Sequence, residues 1–190
     1  YGSNSAKLLL GDGAGGFLPG DVILTQLGNP GKVTVADVNG DSLLDLVVPC
    51  AVPASVNVLL GTGVGGFSSS GGFTVGMSPY GAAVGDFNGD HKMDLAVTSI
   101  ASGSVSILLG NGQGLFSPAP TPTVSAGNTP SSIVAGDVNG DMKVDLVFVN
   151  TNDSTVSVLL GDGRGGFGAA KNFGAGNTPY EVVLADIDGD

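Results

Sequence analysis

A nine-residue phrase recurs four times in this 190-residue chain, at a spacing of about 50 residues. Its copies begin at Asp37, Asp86, Asp137 and Asp186. Two other landmarks keep the same spacing. A Leu-Leu-Gly run leads through glycines to Phe17, Phe67, Phe116 and Phe167, and a proline precedes each phrase at Pro30, Pro79, Pro130 and Pro179. Three landmarks with one period indicate tandem repeats, which restrict the chain to solenoid, propeller or array architectures.

Each repeat contains four short stretches that are typical of strands. In the third repeat they cover residues 132–136, 145–149, 156–160 and 167–173. The glycine-rich stretch between the last two predicts a tight hairpin, because glycine tolerates the positive φ that such turns need. An antiparallel meander of four strands at this period is typical of a β-propeller blade, whereas solenoid repeats are shorter. We therefore predict an all-β fold built of propeller blades with four antiparallel strands each.

The register divides the chain into repeat units within one propeller segment spanning residues 1–190. The units are 1–28 (partial), 29–77, 78–127, 128–176 and 177–190 (partial). They amount to about 3.8 blades, whereas a closed propeller usually has four to eight. We expect a fragment of a larger propeller, with seven blades as one candidate count. Self-association through its open edges is the other expectation.

Composition excludes several classes of protein. Glycine (34) and proline (10) are abundant, but 42% of residues are hydrophobic and lie in short regular runs, which a disordered chain would lack. Six scattered basic residues cannot form the basic stripe that nucleic acid requires. No apolar run reaches the length of a membrane span, so we expect no membrane insertion. The single cysteine, Cys50, excludes an internal disulfide.

The recurring phrase has the composition of a loop that wraps a hard divalent cation. Oxygen side chains fall at its positions 1, 3, 5 and 9, and the spacing adds the carbonyl of position 7. Ca2+ takes six to eight such oxygens. Twelve of the 17 acidic residues lie in the four phrases, within a net charge of −11. The predicted ligands are Asp37, Asn39, Asp41, Leu43 and Asp45; Asp86, Asn88, Asp90, Lys92 and Asp94; and Asp137, Asn139, Asp141, Lys143 and Asp145.

The fourth phrase supplies only Asp186, Asp188 and Asp190 and has no ninth position. We therefore predict three complete Ca2+ sites and a fourth that binds poorly or borrows a ligand. An EF-hand is excluded, because its loop needs glycine at position 6, glutamate at position 12 and flanking helices. Here glycine stands at position 4 and the flanks are predicted strands.

The Asp-x-Asn-Gly-Asp-x-x-x-Asp-Leu phrase, followed by Leu-Leu-Gly-x-Gly-x-Gly-Gly-Phe, resembles the FG-GAP/VCBS repeats over the whole chain. Those repeats build the propeller of integrin α chains and of many bacterial secreted proteins. The resemblance implies Ca2+ in the loops on one propeller face and ligand binding on the opposite face. One departure is that the family often has glycine at position 6, where this chain has Ser42, His91 and Met142. A positive φ there would cost about 1 kcal/mol for each side chain.

No residue pattern supports catalysis. A catalytic metal needs an open coordination position beside a base or nucleophile, whereas four equivalent loops around a ring indicate a structural role. His91 is the only histidine and lies inside a metal loop, so no serine triad can be assembled. The glycine-rich stretches lack the Lys-Ser/Thr of a phosphate loop and read as hairpins. We therefore predict a non-enzymatic protein with no catalytic residues. The alternative is a carbohydrate-active enzyme, similar to a polysaccharide lyase, or a lectin on a Ca2+ propeller.

Tyr80 and Tyr180 are the candidates for ligand contact. Each directly follows the proline of its repeat, where the other repeats carry Gly31 and Ser131. This register predicts that both tyrosines lie on the face opposite the metal loops, where they would contact a protein or glycan ligand. Modest Ca2+ affinity suits extracellular sites. We therefore expect a secreted or cell-surface protein that acts in binding or adhesion.

Overall fold

The computed structural model describes residues 5–25, 28–63 and 65–187, and this part of the chain is built of β-strands without helices. The strands are β1 (Ser5–Gly11), β2 (Phe17–Thr25), β3 (Gly28–Pro30), β4 (Thr34–Ala36), β5 (Asp45–Val52), β6 (Ser55–Gly61), β7 (Phe67–Thr74), β8 (Pro79–Gly85), β9 (Asp94–Ser99), β10 (Ser104–Gly110), β11 (Phe116–Ser125), β12 (Pro130–Gly136), β13 (Asp145–Asn150), β14 (Thr155–Leu159) and β15 (Lys171–Gly174). No helix in these ranges has the length and apolar character needed to cross a membrane.

The strands form three blade-like antiparallel sheets. The second blade has the order β8-β9-β10-β11 and the third has the order β12-β13-β14-β15. In the first blade, β3 and β4 share the innermost position, since both pair with β5, and β6 and β7 follow. The hairpin of β1 and β2 forms a separate two-stranded sheet. The predicted all-β fold with four-stranded antiparallel blades is confirmed, and these sheets are not closed into a barrel.

Two strands differ from the sequence prediction. In the third blade the outermost strand begins at Lys171, not at Phe167, which makes only an isolated bridge to Gly161. The intervening Gly-Ala-Ala lacks the β-branched and aromatic residues that favour strands. In the first blade the innermost strand is interrupted at residues 31–33, although Gly31 N still donates to Pro49 O at 2.8 Å.

Apolar side chains fill the spaces between neighbouring blades. Leu95 and Val97 of β9 face Val47 and Val56 of the first blade. Ala96, between them in sequence, packs into the core shared with the third blade. Successive residues of an inner strand therefore face two different neighbours. Burial of both faces explains why these strands are apolar at nearly every position instead of alternating.

The innermost strands run between two ends of the molecule. β8 has seven residues, so at about 3.3 Å per residue its ends lie roughly 20 Å apart. The innermost strands begin near the prolines, at what we call the "proline end". They finish where the Asp phrases start, at what we call the "loop end". The glycine-rich hairpins also lie at the loop end. In each antiparallel blade the third strand runs in the same direction as the innermost strand, and the hairpin follows it.

Candidate metal loops and a proline-end cleft

Each of the three complete Asp phrases is curled by hydrogen bonds from its own backbone. Asp37 Oδ1 accepts from Gly40 N at 2.7 Å, and its Oδ2 accepts from Ser42 N at 2.7 Å. The loops that begin at Asp86 and Asp137 repeat this arrangement. Burial alone would raise the pKa of Asp37, but these N–H groups outweigh it and hold the pKa below its usual value. The first carboxylate therefore organises the loop as an anion.

Position 6 of each loop lies in the left-handed region. Ser42, His91 and Met142 have φ values of 68°, 62° and 63°. This geometry explains why glycine suits the position and why a side chain there carries a backbone penalty of about 1 kcal/mol.

The ninth-position aspartates are buried, and each links its loop to the glycine-rich hairpin through two hydrogen bonds. We call such a residue a buried pin. Asp145 is 0% exposed; its Oδ2 accepts from Val138 N at 3.1 Å and its Oδ1 from Gly161 N at 2.8 Å. Asp45 and Asp94 make the same pair of bonds in their own blades. Sequence reasoning assigned these residues to metal binding alone. It missed the pin because the hairpin N–H lies 16 residues further along the chain.

Asp94 shows the electrostatic cost of placing three aspartates in one loop. Burial raises the pKa of Asp94, while the N–H groups of Gly110 and Phe87 act in the opposite direction. The carboxylates of Asp90 and Asp86 raise this pKa further. The net upward shift means that negative charge at Asp94 is disfavoured in the folded chain, where a nearby cation would relieve it.

The loops have the donor groups that a hard cation needs, but their carboxylates are not gathered around one position. Each complete phrase offers three aspartates, an asparagine oxygen and a main-chain carbonyl, which are ligands that Ca2+ prefers. Nevertheless, within residues 5–25, 28–63 and 65–187 no three Asp, Glu, His or Cys side chains are grouped to hold a metal ion. The ninth aspartate is occupied by N–H groups, and Lys92 Nζ lies 3.2 Å from Asp90 Oδ2. The Ca2+ assignment therefore stays a prediction. For the fourth phrase, Asp188 and Asp190 lie outside the described residues.

At the proline end, the two tyrosines singled out from the sequence meet. Their hydroxyl groups are hydrogen-bonded, and their rings pack edge to face with centroids 6.1 Å apart. Tyr80 opens the second blade, whereas Tyr180 belongs to the segment after the third blade. Thr151 Oγ1 donates to Pro179 O at 3.0 Å and helps to hold that segment in place.

An ion pair that sequence reasoning missed lies beside the tyrosines. Lys32 Nζ pairs with Glu181 Oε1, and the two side chains are 45% and 62% exposed. Ser132 is buried nearby and accepts from Val182 N at 3.4 Å. A cavity of about 420 Å3 is lined by Pro30, Gly31, Lys32, Tyr80, Ser132, Tyr180 and Glu181. We call it the proline-end cleft.

Six of the seven residues that line this cleft, all but Pro30, stand at positions where the repeats differ. The two positions after each proline read Gly-Lys, Tyr-Gly, Ser-Ser and Tyr-Glu, whereas the proline and the Asp phrase recur in every repeat. Glu181 is the only glutamate in the chain. That singular residue, directly after Tyr180, was the signal that could have identified the missed half of the cleft.

Comparison with protein families agrees with this repeat architecture. The FG-GAP-like repeat matches residues 97–148 and 137–190, and the FG-GAP repeat matches residues 78–114. Together these matches cover more than half of the chain. The chain therefore belongs to the FG-GAP repeat family, whose repeats occur in extracellular proteins. None of the curated proteins compared with the chain matches it.

Solved structures with a similar fold are distant in sequence. A lectin from Agrocybe aegerita, described as recognising non-reducing terminal N-acetylglucosamine, is 20% identical with a TM-score of 0.54. The match covers 90% of this chain and 46% of the lectin, so the chain spans less than half of that protein. The Tc holotoxin pore of Photorhabdus luminescens is 23% identical, with a TM-score of 0.44 over 74% of this chain and 7% of that one. The likeness to the lectin supports the propeller-type fold.

Proposed function

We propose that this chain is a calcium-stabilised β-propeller scaffold of a secreted or cell-surface protein, acting in binding or adhesion and not in catalysis. The observation that carries the proposal is the distribution of differences among the repeats. Residues that build the blades recur, whereas the pairs after each proline diverge and several of them line one cleft. A protein's function depends on particular sites and not on its fold alone. This cleft is a site at which the repeats differ in sequence.

The proposed ions would be held at the loop end, by the aspartate and asparagine oxygens and the position-7 carbonyls of the three complete phrases. Bound Ca2+ would supply positive charge among carboxylates that otherwise repel one another. The ligand would bind at the proline end, roughly 20 Å away along the innermost strands. This separation supports a structural role for the metal, since ligand and ion would not share a site.

The non-catalytic assignment rests on the chemistry of the cleft. Its titratable side chains are one lysine, one glutamate and two tyrosines. The lysine and the glutamate are paired with each other, and so are the tyrosine hydroxyls. The chain's one histidine, His91, is at the loop end. A glycan ligand is the second candidate, because a lectin shares this fold.

A degradation assay tests the assignment against the enzyme alternative. The purified chain is incubated with Ca2+ and pectic, other acidic and neutral polysaccharides, and new reducing ends and unsaturated products are measured over time. We expect none above the level of a heat-denatured sample. Products that disappear in the Lys32→Met variant would overturn the proposal, because they would make the cleft an active site.

A further inference from the structure

The proline-end cleft contains a balanced pair of charges. Lys32 and Glu181 are oppositely charged and bonded to each other, so the cleft is neutral as a whole. An anionic ligand would draw Lys32 away and leave Glu181 without its partner, and a cationic ligand would do the reverse. The net charge of −11 further disfavours an anion. A neutral ligand avoids both costs.

A hydroxyl-rich ligand matches this ion pair best. A hydroxyl group can donate to the Glu181 carboxylate, and another can accept from the Lys32 ammonium. Hydrogen bonds to charged groups are stronger than those between neutral groups. Because both side chains are about half exposed, adjacent hydroxyl groups can reach them from solvent.

The aromatic half of the cleft requires an apolar face on the same ligand. Tyr180 is 63% exposed, and its ring meets that of Tyr80 at an interplanar angle of 72°. A tyrosine ring offers a flat apolar surface with a polar tip. The cavity of about 420 Å3 is near the lower end of the ~300–1,000 Å3 typical of small-molecule sites. A sugar ring combines hydroxyl edges, an apolar C–H face and a size that fits this cavity.

We propose that the proline-end cleft binds a neutral sugar residue of a glycan, stacked on Tyr180 with its hydroxyl groups bonded to Lys32 and Glu181. This inference rests on the proposed function, since it names the ligand class of that same cleft. It excludes uronic and sialic acid residues as preferred ligands.

The test uses an array that presents neutral glycans, ending in hexoses or N-acetylhexosamines, beside uronate- and sialate-terminated glycans at equal density. We expect the wild-type chain to be retained on neutral glycans. The dissociation constant for the best methyl glycoside is then measured by calorimetry. Tyr180→Ala and Lys32→Met should each weaken binding about tenfold or more, whereas Tyr180→Phe, which keeps the ring, should weaken it less.

Matched controls separate the cleft from general effects. Phe173→Ala removes another exposed aromatic ring and Lys171→Met another lysine, both from β15 and outside the cleft. Both should bind as the wild type does, and all variants should have similar melting temperatures. Retention on acidic glycans only, no retention on any glycan, or wild-type affinity in Tyr180→Ala would each overturn the inference. The non-catalytic scaffold would survive these results, since only degradation products contradict it.

Discussion

At the scale of single residues, the strained sixth position of each metal loop is open to improvement. Met142 has a φ of 63° and the residue is 93% exposed, so it contributes strain without packing. We predict that Met142→Gly raises the free energy of unfolding by about 0.5–1 kcal/mol, because glycine adopts this conformation without a side-chain clash. Urea denaturation in one buffer measures the change.

Met142→Ala is the matched control for this prediction. It also removes the long side chain but keeps a Cβ in the left-handed region, so we expect little gain in stability. Both variants retain the N–H that donates to Asp137 Oδ2 at 2.7 Å. If alanine stabilised the chain as much as glycine, the backbone strain would not be the cause.

The residue scale also shows what sequence could not predict. The spacing of the Asp phrase indicated a loop between two strands, and the hydrogen bonds that curl this loop join residues no more than five positions apart. The pairing of Lys32 with Glu181 joins residues 149 positions apart. No local pattern contains that information, since it depends on how the innermost strands of different repeats converge.

At the scale of elements, the ninth aspartate joins a loop, a strand and a hairpin. We predict that Asp145→Ala lowers the free energy of unfolding by about 3 kcal/mol, because two N–H groups would be left without their acceptor inside the protein. The measurement is chemical denaturation in the presence of a chelator, so that no metal contributes.

Asp141→Ala serves as the comparison within the same loop. Its carboxylate is partly exposed and bonded to Lys143 at 3.2 Å, so the loss without metal should stay within about 1 kcal/mol. Equal losses in the two variants would contradict the distinction between a buried pin and an exposed candidate ligand.

Strand positions were largely predictable because the blades repeat one local pattern. The predicted stretch 145–149 corresponds to Asp145–Asn150, and 156–160 to Thr155–Leu159. The outermost strand of the third blade was predicted too long, since hairpin spacing alone does not reveal that its Gly-Ala-Ala segment pairs weakly. The strand propensity of the residues determines where such an edge strand begins, whereas burial between blades determines the extent of the inner strands.

At the scale of the whole molecule, the concentrated negative charge should make the stability of the fold depend on bound calcium. Nine of the 17 acidic residues lie in the three complete phrases, which face one end of the blades. We predict that Ca2+ raises the melting temperature relative to chelator by several degrees. An ion at ten times its dissociation constant adds about 1.4 kcal/mol for each site, and each kcal/mol corresponds to about 2–4 °C in a chain of this size.

Differential scanning calorimetry with Ca2+ or chelator measures this shift, with matched ionic strength as the control. Asp141→Ala should reduce the shift, because it removes a predicted ligand from one complete phrase. Identical melting temperatures with and without Ca2+ would exclude calcium stabilisation and leave the loops held by their backbone hydrogen bonds alone.

The separation of constant from variable positions has a consequence for protein engineering. A scaffold whose recognition residues follow a fixed proline can be given new specificity without redesign of its core. Not every such position is free: a Cβ on Gly31 would lie 2.4 Å from Tyr80 O, and one on Gly81 would lie 2.5 Å from Ser131 O. A combinatorial library therefore belongs at Lys32, Tyr80, Tyr180 and Glu181, four codons that could redirect the molecule while its blades remain untouched.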